Sequence, residues 1–267
     1  MNYTIISNKY YNEASIFLPE NLLREAKRQK NLPDCKVPSI CLLDPDGDIL
    51  EYLQRTGKAH LNDCWACYHT NLYSFTLKEL EVGIVACAVG ASFSVLIAEQ
   101  LFVSGCEILF SVTSSGIINK VNDKVDYILI DEAVRDEGTS YHYLPPGECS
   151  YIQKDLLAVM KRSLLKEAPF VTAGKSWTTD APYRETPSAI ENMKFANVHV
   201  VEMEAAALYA FATAKNKKVI CFAHITNSMA QIEVDFEKGL ENGSISSLEI
   251  VYRAAKDLLR PGSENRI

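Results

Sequence analysis

The stretch VHVVEMEAAALYAFATAK, residues 198–215, contains a strand that passes directly into a helix. Its first six residues carry three valines, which favour a strand, and the remainder is rich in alanine, which favours a helix. In sheets built from alternating strands and helices, the binding crevice lies beyond the carboxyl ends of the strands. Glu202, Met203 and Glu204 stand at this turn and are therefore the first candidates for a functional role.

The same alternation of strands and helices continues on both sides of this segment and predicts the fold class. We expect an α/β fold with a single domain, in which helices flank a central mixed sheet. Residues 46–53 are amphipathic, and Ser92 is a candidate N-cap for the helix that it opens. The other predicted strands are 39–44, two strands within 74–90, 107–116, 126–134, 170–174 and 218–226, and the other predicted helices are 92–103, 152–166, 187–195 and 245–259.

The composition is that of an ordinary globular protein, and it limits the kinds of partner that we expect. The chain has 267 residues, of which 48% are hydrophobic and 23% charged, which suffices for one large domain. A net charge of −7 argues against nucleic acid and anionic membranes as partners. No apolar run approaches the roughly 18 residues that span a bilayer, and the N-terminus lacks the pattern of a signal peptide. We therefore expect a cytoplasmic protein.

Residues 1–37 are predicted to form an N-terminal arm, with a helix at about 19–30, ahead of an α/β domain at 38–267. The chain has eight cysteines, and without an export signal we expect them to be reduced thiols. Cys64 and Cys67 form an isolated CxxC pair, whereas a structural zinc site needs four ligands. We therefore expect no metal at this pair.

Three segments together carry a family resemblance. VVEMEAAALYAFA (200–212), AVRDEGTSYHYLPP (133–146) and TAGKSWTTDAPYRET (172–186) resemble segments of nucleoside phosphorylases, in the branch of uridine phosphorylase and the hexameric purine enzymes. The stretch that begins HITNSMAQIE (224–233) resembles the end of uridine phosphorylases. The resemblance covers about residues 38–260. It implies cleavage of the N-glycosidic bond of a small-molecule nucleoside, no metal or organic cofactor, and a homodimer or hexamer.

The resemblance gives the turn after the quoted strand a role in holding ribose. Glu204 matches the glutamate that accepts hydrogen bonds from both ribose hydroxyls, and charge-assisted bonds of this kind are short and strong. Met203 would pack under the sugar ring, and Glu202 would line the same pocket. Without the other two segments, an acidic pair at the start of a helix would be explained by the helix dipole alone.

Residues that would contact the base come from three segments. Asn227 follows a predicted strand, and its amide pairs with an amide-like edge, which favours uracil or a 6-oxopurine over adenine. Trp177 is expected to stack on the base, the alternative being a core position. An alternative for Asn227 is a turn residue, and one for Asp180 and Arg184 is a surface ion pair. The remaining candidates for substrate binding are Thr178, Asp180, Arg184 and His142.

The expected phosphate site departs from the family pattern. The family carries a Gly-Asp-Pro-x-Arg loop after the first strand, whereas this chain has Leu43-Asp44-Pro45-Asp46-Gly47-Asp48. Ser111 occupies the position at which the family has a second arginine. The resemblance leaves Ser114 with Thr113, and the helix start at Gly90 and Ser92, to hold phosphate.

The three aspartates of this loop, Asp44, Asp46 and Asp48, oppose a dianion but suit the activation of a water molecule. Related nucleosidases have a glutamate in this loop, and Asp48 falls at or beside its position. A solvated turn with a helix cap is the structural alternative. The candidates to replace the missing cations are Arg55, Lys58, Arg135 and Lys175.

The first expectation for the reaction is phosphorolysis, with inorganic phosphate as co-substrate and free base and ribose 1-phosphate as products. Glu204, Asn227 and Asp48 are the candidate catalytic residues. The second expectation is phosphate-independent hydrolysis, in which Asp44, Asp46 and Asp48 would serve the water. A third is a catalytically silent protein that binds nucleosides. Both alternatives are motivated by the missing arginines.

Overall fold

The structure is a computed structural model, which describes residues 4–122, 124–227 and 236–260. No helix in these ranges is both long enough and apolar enough to cross a bilayer. The strands are β1 (Ile40–Asp44), β2 (His60–Leu61), β3 (Tyr73–Leu77), β4 (Leu80–Ala86), β5 (Ile108–Ile117), β6 (Tyr127–Asp136), β7 (Cys149–Tyr151), β8 (Val171–Thr179), β9 (Val198–Glu202) and β10 (Lys218–Asn227). The helices are α1 (Pro19–Lys30), α2 (Asp48–Arg55), α3 (Ala91–Ser104), α4 (Lys154–Arg162), α5 (Leu164–Glu167), α6 (Pro187–Phe195), α7 (Ala205–Lys215) and α8 (Ser244–Leu259).

The strands form one mixed sheet in the order β10-β6-β8-β9-β5-β1-β4-β3-β2, with β7 paired to β6. Strand β5 runs parallel to β1 and β10 and antiparallel to β9. Because β10 pairs with both β5 and β6, the strands β5, β9, β8, β6 and β10 close into a ring. This closure places Gly116 of β5 beside Val201 of β9 and beside Asn227 of β10.

Helices cover the sheet, and two of them, α3 and α7, are mostly buried. Every residue from Ala205 to Ala212 of α7 is buried, and most of α3 is buried as well. Helices that are apolar on all sides belong inside a protein core, and the alanines of α7 let it pack closely against its neighbours. The burial of α7 therefore anchors the turn that precedes it, which holds Glu202 and Glu204.

The predicted α/β fold with a central mixed sheet is confirmed, and the predicted helix at 187–195 has the same bounds as α6. Two expectations are corrected. The segment 107–116 is expected to be a strand that runs into a small polar loop, but its polar end continues within β5, because Ser114 and Ser115 pair with β10. Gly90, with φ of 88°, is the N-cap of α3, whereas Ser92 is an exposed residue inside the helix. A glycine adopts such a φ without strain, which explains why serine does not cap here.

The N-terminal segment contains α1, with the bounds that the sequence predicts. Leu23 and Ala26 of this helix pack against Ala66. Cys35 and Cys64 form a disulfide, which corrects the expectation that all eight cysteines are reduced thiols. The two cysteines are 29 positions apart in sequence. Their bond joins the end of the N-terminal segment to the loop that contains the CxxC pair.

Candidate active site

A cleft of about 350 Å³ lies where β5, β9 and β10 meet, beside the loop that follows β1. This volume is at the lower end of the range for small-molecule sites. Four carboxyl groups, several hydroxyls and two aromatic rings line it. The lining residues are Pro45, Asp46, Val89, Thr113, Ser114, Ser115, Gly116, Pro182, Tyr183, Glu185, Val201, Glu202, Met203, Glu204, Asn227 and Phe236.

Glu204 is the N-cap residue of α7, and its side chain is buried at the wall of the cleft. One carboxylate oxygen accepts a hydrogen bond of 2.7 Å from the main-chain N–H of Gly90. Burial and the neighbouring charge of Glu202 raise the pKa of Glu204 to about 8. The other oxygen accepts a longer hydrogen bond of 3.3 Å from the main-chain N–H of Met203. A ligand that offers hydroxyl donors to this carboxyl group would favour its ionised form.

Glu202 holds the turn between β9 and α7 in shape. Its carboxylate accepts from the main-chain N–H groups of Glu204 and Ala205, at 2.7 Å each, and from the hydroxyl of Ser176 at 3.1 Å. The hydroxyl of Thr178 also donates to Glu202. Orphan N–H groups at the start of a helix are thereby satisfied by an acid. Thr178 does not line the cleft, and it acts on the cleft through Glu202.

At the other end of the cleft, Asp46 takes both hydrogen-bond donors of Ser114. One carboxylate oxygen accepts from the main-chain N–H of Ser114 at 2.7 Å, and the other accepts from its hydroxyl at 2.7 Å. Ser114 is the residue that the family resemblance assigns to phosphate. An anionic side chain of the protein therefore occupies the donors that would hold an anionic co-substrate.

Asp44 and Asp48 flank Asp46 in a cluster next to the cleft. Asp44 is buried and accepts from the main-chain N–H of Leu50 at 2.9 Å. Burial, with smaller contributions from the charges of Asp46 and Asp48, raises the pKa of Asp44 to about 7. Asp48 lies outside the cleft lining and accepts from the side-chain amide of Asn242 at 3.0 Å.

Lys238 is the cation of this cluster. Its ammonium group forms an ion pair with Asp48 and lies 3.6 Å from a carboxylate oxygen of Asp46. Sequence reasoning missed Lys238, because it follows β10 in a stretch without a motif and is 190 positions from Asp48. No local pattern in the sequence connects the two residues.

The cations that we expected to replace the family arginines are engaged elsewhere, which corrects that expectation. Arg55 pairs with Glu241 and Lys175 with Glu132. The guanidinium of Arg135 donates to the hydroxyl of Ser140 and to the carbonyl groups of residues 144 and 145, so it holds a loop. Lys58 lies over the ring of Tyr52. These four cations do not line the cleft.

Trp177 is a core residue and does not stack on a ligand in the cleft, which corrects its expected role. It is buried in a small apolar cluster that includes Ile118 and Val201, and its indole N–H donates to Asp136 at 2.9 Å. Two other aromatic side chains line the cleft. Tyr183 is 99% exposed and Phe236 is 54% exposed, so both present ring faces that a base would cover. Sequence reasoning missed both.

Four further candidates lie outside the cleft lining, which corrects their expected positions. The carboxylate of Asp180 accepts from the main-chain N–H of Gly138 at 2.8 Å, and the ring of His142 lies 2.9 Å from the ammonium of Lys9. Ser92 and Arg184 are exposed. Asn227, in contrast, lines the cleft together with Thr113, Ser114 and Met203. Gly90 does not line the cleft itself but contributes through its N–H bond to Glu204.

Within residues 4–122, 124–227 and 236–260, no group of three or more His, Cys, Asp or Glu side chains has an arrangement that would hold a metal ion. The three aspartates of the loop after β1 instead contact the ammonium group of Lys238, the hydroxyl of Ser114, the side-chain amide of Asn242 and main-chain N–H groups. Their arrangement is suited to proton transfer or to repelling an anion.

The fold, a mixed sheet flanked by helices with a cleft beside the turn between β9 and α7, is that of the phosphorylase superfamily. A profile of the phosphorylase superfamily matches residues 47–256, and the chain belongs to this superfamily. A crystal structure of uridine phosphorylase from Vibrio fischeri ES114, in complex with 6-hydroxy-1-naphthoic acid, superposes with a TM-score of 0.68. The match covers 83% of this chain and 91% of that chain at 17% identity, which shows a shared fold. No curated protein matches the chain.

Proposed function

We propose that the protein cleaves the N-glycosidic bond of a nucleoside in this cleft and that the acceptor of the ribosyl group is water. The observation that carries the proposal is the pair of hydrogen bonds from Ser114 to Asp46. Membership of the phosphorylase superfamily supports the assignment of the N-glycosidic bond as the bond that is cleaved. Asp46 lies at the end of the cleft where the ribosyl acceptor would bind, which we call the acceptor end. An acid at this end supports hydrolysis, which is the second expectation from the sequence.

Glu204 is the residue that we assign to ribose. Its buried carboxylate has one strong main-chain donor and a raised pKa, so it gains most from ligands that donate hydrogen bonds to it. The hydroxyls at the 2′ and 3′ positions of ribose supply such donors. Bonds to these hydroxyls would strengthen as positive charge develops on the sugar, and such strengthening lowers the barrier. Met203 would contact the sugar from the same turn.

Asp46 is the residue that we assign to the water. A carboxylate held at two points by Ser114 is a fixed acceptor for the proton that a water molecule loses when it attacks the anomeric carbon. The ammonium group of Lys238 lies 3.6 Å from Asp46 and balances part of the negative charge at this place. A phosphate dianion in the same place would meet three carboxyl groups and a single ammonium group among the described residues of this cluster.

Tyr183 and Phe236 are the residues that we assign to the base. Both rings are exposed and line the cleft near Asn227. A purine or pyrimidine ring would cover apolar surface on both, and Asn227 would pair with its edge. The expected class of base is therefore still a uracil-like base or a 6-oxopurine, because the amide of Asn227 favours these bases.

Release of free base from uridine, thymidine, inosine, guanosine, adenosine and methylthioadenosine tests the proposal. In phosphate-free buffer we expect one of these to be cleaved to base and ribose, at a rate that added phosphate does not raise. Asp46→Asn should abolish most of this rate, whereas Glu51→Gln, on the exposed face of α2, should leave it unchanged. A rate that requires phosphate and gives ribose 1-phosphate would overturn the assignment of water. Tight binding without turnover of any nucleoside would overturn catalysis.

Phosphorolysis is the second candidate, and two observations favour it. The chain belongs to the phosphorylase superfamily, and Thr113 and Ser114 are retained at the cleft. For this reaction, phosphate would have to displace Asp46 from Ser114 and recruit Lys238. The phosphate dependence of the rate separates the two candidates in the same assay. Under either reaction, we retain a homodimer or hexamer and a cytoplasmic location as proposals, which sedimentation and cell fractionation would test.

A further inference from the structure

Three cysteines meet where the N-terminal arm joins the domain, and the proposed reaction gives none of them a task. Cys35, near the end of the arm, is bonded to Cys64. Cys67 completes the CxxC pair with Cys64 and is a free, buried thiol, and both residues pack into the main apolar core. The Sγ atom of Cys67 accepts a hydrogen bond of 3.3 Å from the main-chain N–H of His69. A disulfide and a third thiol on one short loop are the components of thiol–disulfide exchange.

The loop that carries Cys67, residues 64–68, is also the surface on which α1 docks. Buried apolar side chains of α1 pack against Ala66, which lies between the two cysteines of the CxxC pair. The carbonyl group of Cys67 accepts a hydrogen bond from the ammonium group of Lys30, at the end of α1. A new disulfide within this loop would therefore change the surface under α1 at the same time as it frees Cys35.

The beginning of the N-terminal arm contacts a loop near the cleft. Lys9 and Tyr11 form hydrogen bonds of 2.9 and 3.2 Å with the loop of residues 138–142. The first main-chain N–H of this loop donates to the carboxylate of Asp180 at 2.8 Å. Asp180 lies just before the short turn that carries Tyr183 of the cleft. The docked arm therefore supports a loop that adjoins the segment with this aromatic side chain.

We propose that Cys35, Cys64 and Cys67 form a thiol–disulfide switch that releases the N-terminal arm. The thiolate of Cys67 attacks the Sγ atom of Cys64, the Cys64–Cys67 bond forms, and the Cys35–Cys64 bond breaks. Cys35 leaves as a thiolate and takes up a proton, which replaces the proton that Cys67 has lost. The exchange involves no net oxidation or reduction, so it needs neither an oxidant nor a reductant. The arm then loses both its covalent bond to the domain and the original surface under α1.

Disulfide mapping of the full chain tests the exchange. The protein would be incubated without reductant at about pH 6 and about pH 9, with N-ethylmaleimide to block free thiols, and its peptides identified by mass spectrometry. We expect a Cys64–Cys67 bond and labelled Cys35 to form faster at the higher pH, because the thiolate is the attacking species. Cys67→Ser should slow the labelling of Cys35 by about tenfold or more, because the attacking sulfur is missing. Cys149→Ser, which removes a free cysteine of β7, is the matched control and should not change the labelling.

Hydrogen exchange measures the release of the arm separately. Cys35→Ser, treated with oxidised glutathione to form the Cys64–Cys67 bond, represents the switched state. We expect its main-chain N–H groups in α1 and in residues 138–142 to exchange about tenfold or more faster than in the parent protein, because the contacts that protect them are lost. Cys67→Ser keeps the Cys35–Cys64 bond and should exchange like the parent protein.

Three results would overturn the switch. A Cys35–Cys67 bond in the peptide map would leave the arm attached, and a map without any new pairing at about pH 9 would show that Cys67 does not attack. Equal hydrogen exchange of α1 in the parent protein and in oxidised Cys35→Ser would show that the arm stays docked. None of these measurements uses a nucleoside, so the proposed function stands or fails separately.

Discussion

The two ends of the cleft differ in how the chain builds them. At the ribose end, Glu202, Met203 and Glu204 are consecutive residues at one turn between a strand and a buried helix. At the acceptor end, Asp46 accepts hydrogen bonds from Ser114, which is 68 positions away, and the ammonium group of Lys238 lies 3.6 Å from Asp46. The turn at Glu202–Glu204 resembles the family pattern, whereas at the acceptor end the positions of the family arginines hold Gly47 and Ser111, and Asp46 contacts Ser114. Under the proposed reaction, one end of the cleft retains the residues that would hold ribose, and the other end has changed the residues that would select the acceptor.

The largest effect on turnover should come from the ribose end. We expect Glu204→Gln to lower kcat/KM by about 10²–10⁴, because two charge-assisted hydrogen bonds to ribose would each lose about 1.5–3 kcal/mol. Glutamine keeps an acceptor for the N–H of Gly90, so the fold should survive. Steady-state kinetics with the best nucleoside of the panel would measure the loss. Glu81→Gln on the exposed side of β4 is the control, and a loss of less than tenfold in Glu204→Gln would contradict the assignment.

The next effect should come from the acceptor end. Asp46→Asn removes the group that would accept a proton from water, and general bases contribute about 10²–10⁴-fold to such rates. The side chain keeps its size and one acceptor for Ser114. We therefore expect kcat to fall by about 10²-fold or more, while the KM for nucleoside changes little. If instead KM rises and kcat is retained, Asp46 contacts the nucleoside, and the distinction between the two ends is lost.

A smaller effect should follow from loss of the ammonium group beside Asp46. We expect Lys238→Met to lower kcat several-fold, because Asp46 and Asp48 would lose the ammonium group that balances their charge and helps to hold Asp46 in place. Steady-state kinetics would measure the decrease relative to the parent protein. Lys256→Met, on α8 away from the cleft, is the control, and an unchanged kcat in Lys238→Met would show that Lys238 does not act on Asp46.

The same contrast explains what could be predicted from the sequence. The fold follows from the alternation of strands and helices, and Glu204 and Asn227 follow from positions directly after strands. Trp177 could not be assigned, since a tryptophan beside a strand is equally suited to the core, where Asp136 takes its N–H. Tyr183, Phe236 and Lys238 were missed because they lie in irregular segments without periodicity. The partner of Ser114 depends on tertiary contacts between distant loops, which local patterns do not encode.

The smallest effect on turnover, but a measurable effect on stability, should come from Asp44, which lies beneath the acceptor end. Burial raises the pKa of Asp44 in the folded protein to about 7, whereas an aspartate in water has a pKa of 3.8. The folded state therefore retains a proton that the unfolded chain releases above pH 4, and the contribution of Asp44 to stability falls as the pH rises from about 4 to 7. We expect Asp44→Asn to remove this decrease, which amounts to a few kcal/mol in the free energy of unfolding.

Urea unfolding at pH 5 and at pH 8 would measure this difference. Glu204, with a pKa of about 8, changes stability in the same direction, so the comparison is between the parent protein and Asp44→Asn rather than between two pH values alone. Asparagine retains an acceptor for the N–H of Leu50, which keeps the loop in place. Equal pH dependence in the two proteins would show that Asp44 is ionised in the fold. The acceptor end would then carry a third full negative charge, which would exclude a phosphate dianion still more strongly than the arrangement proposed above.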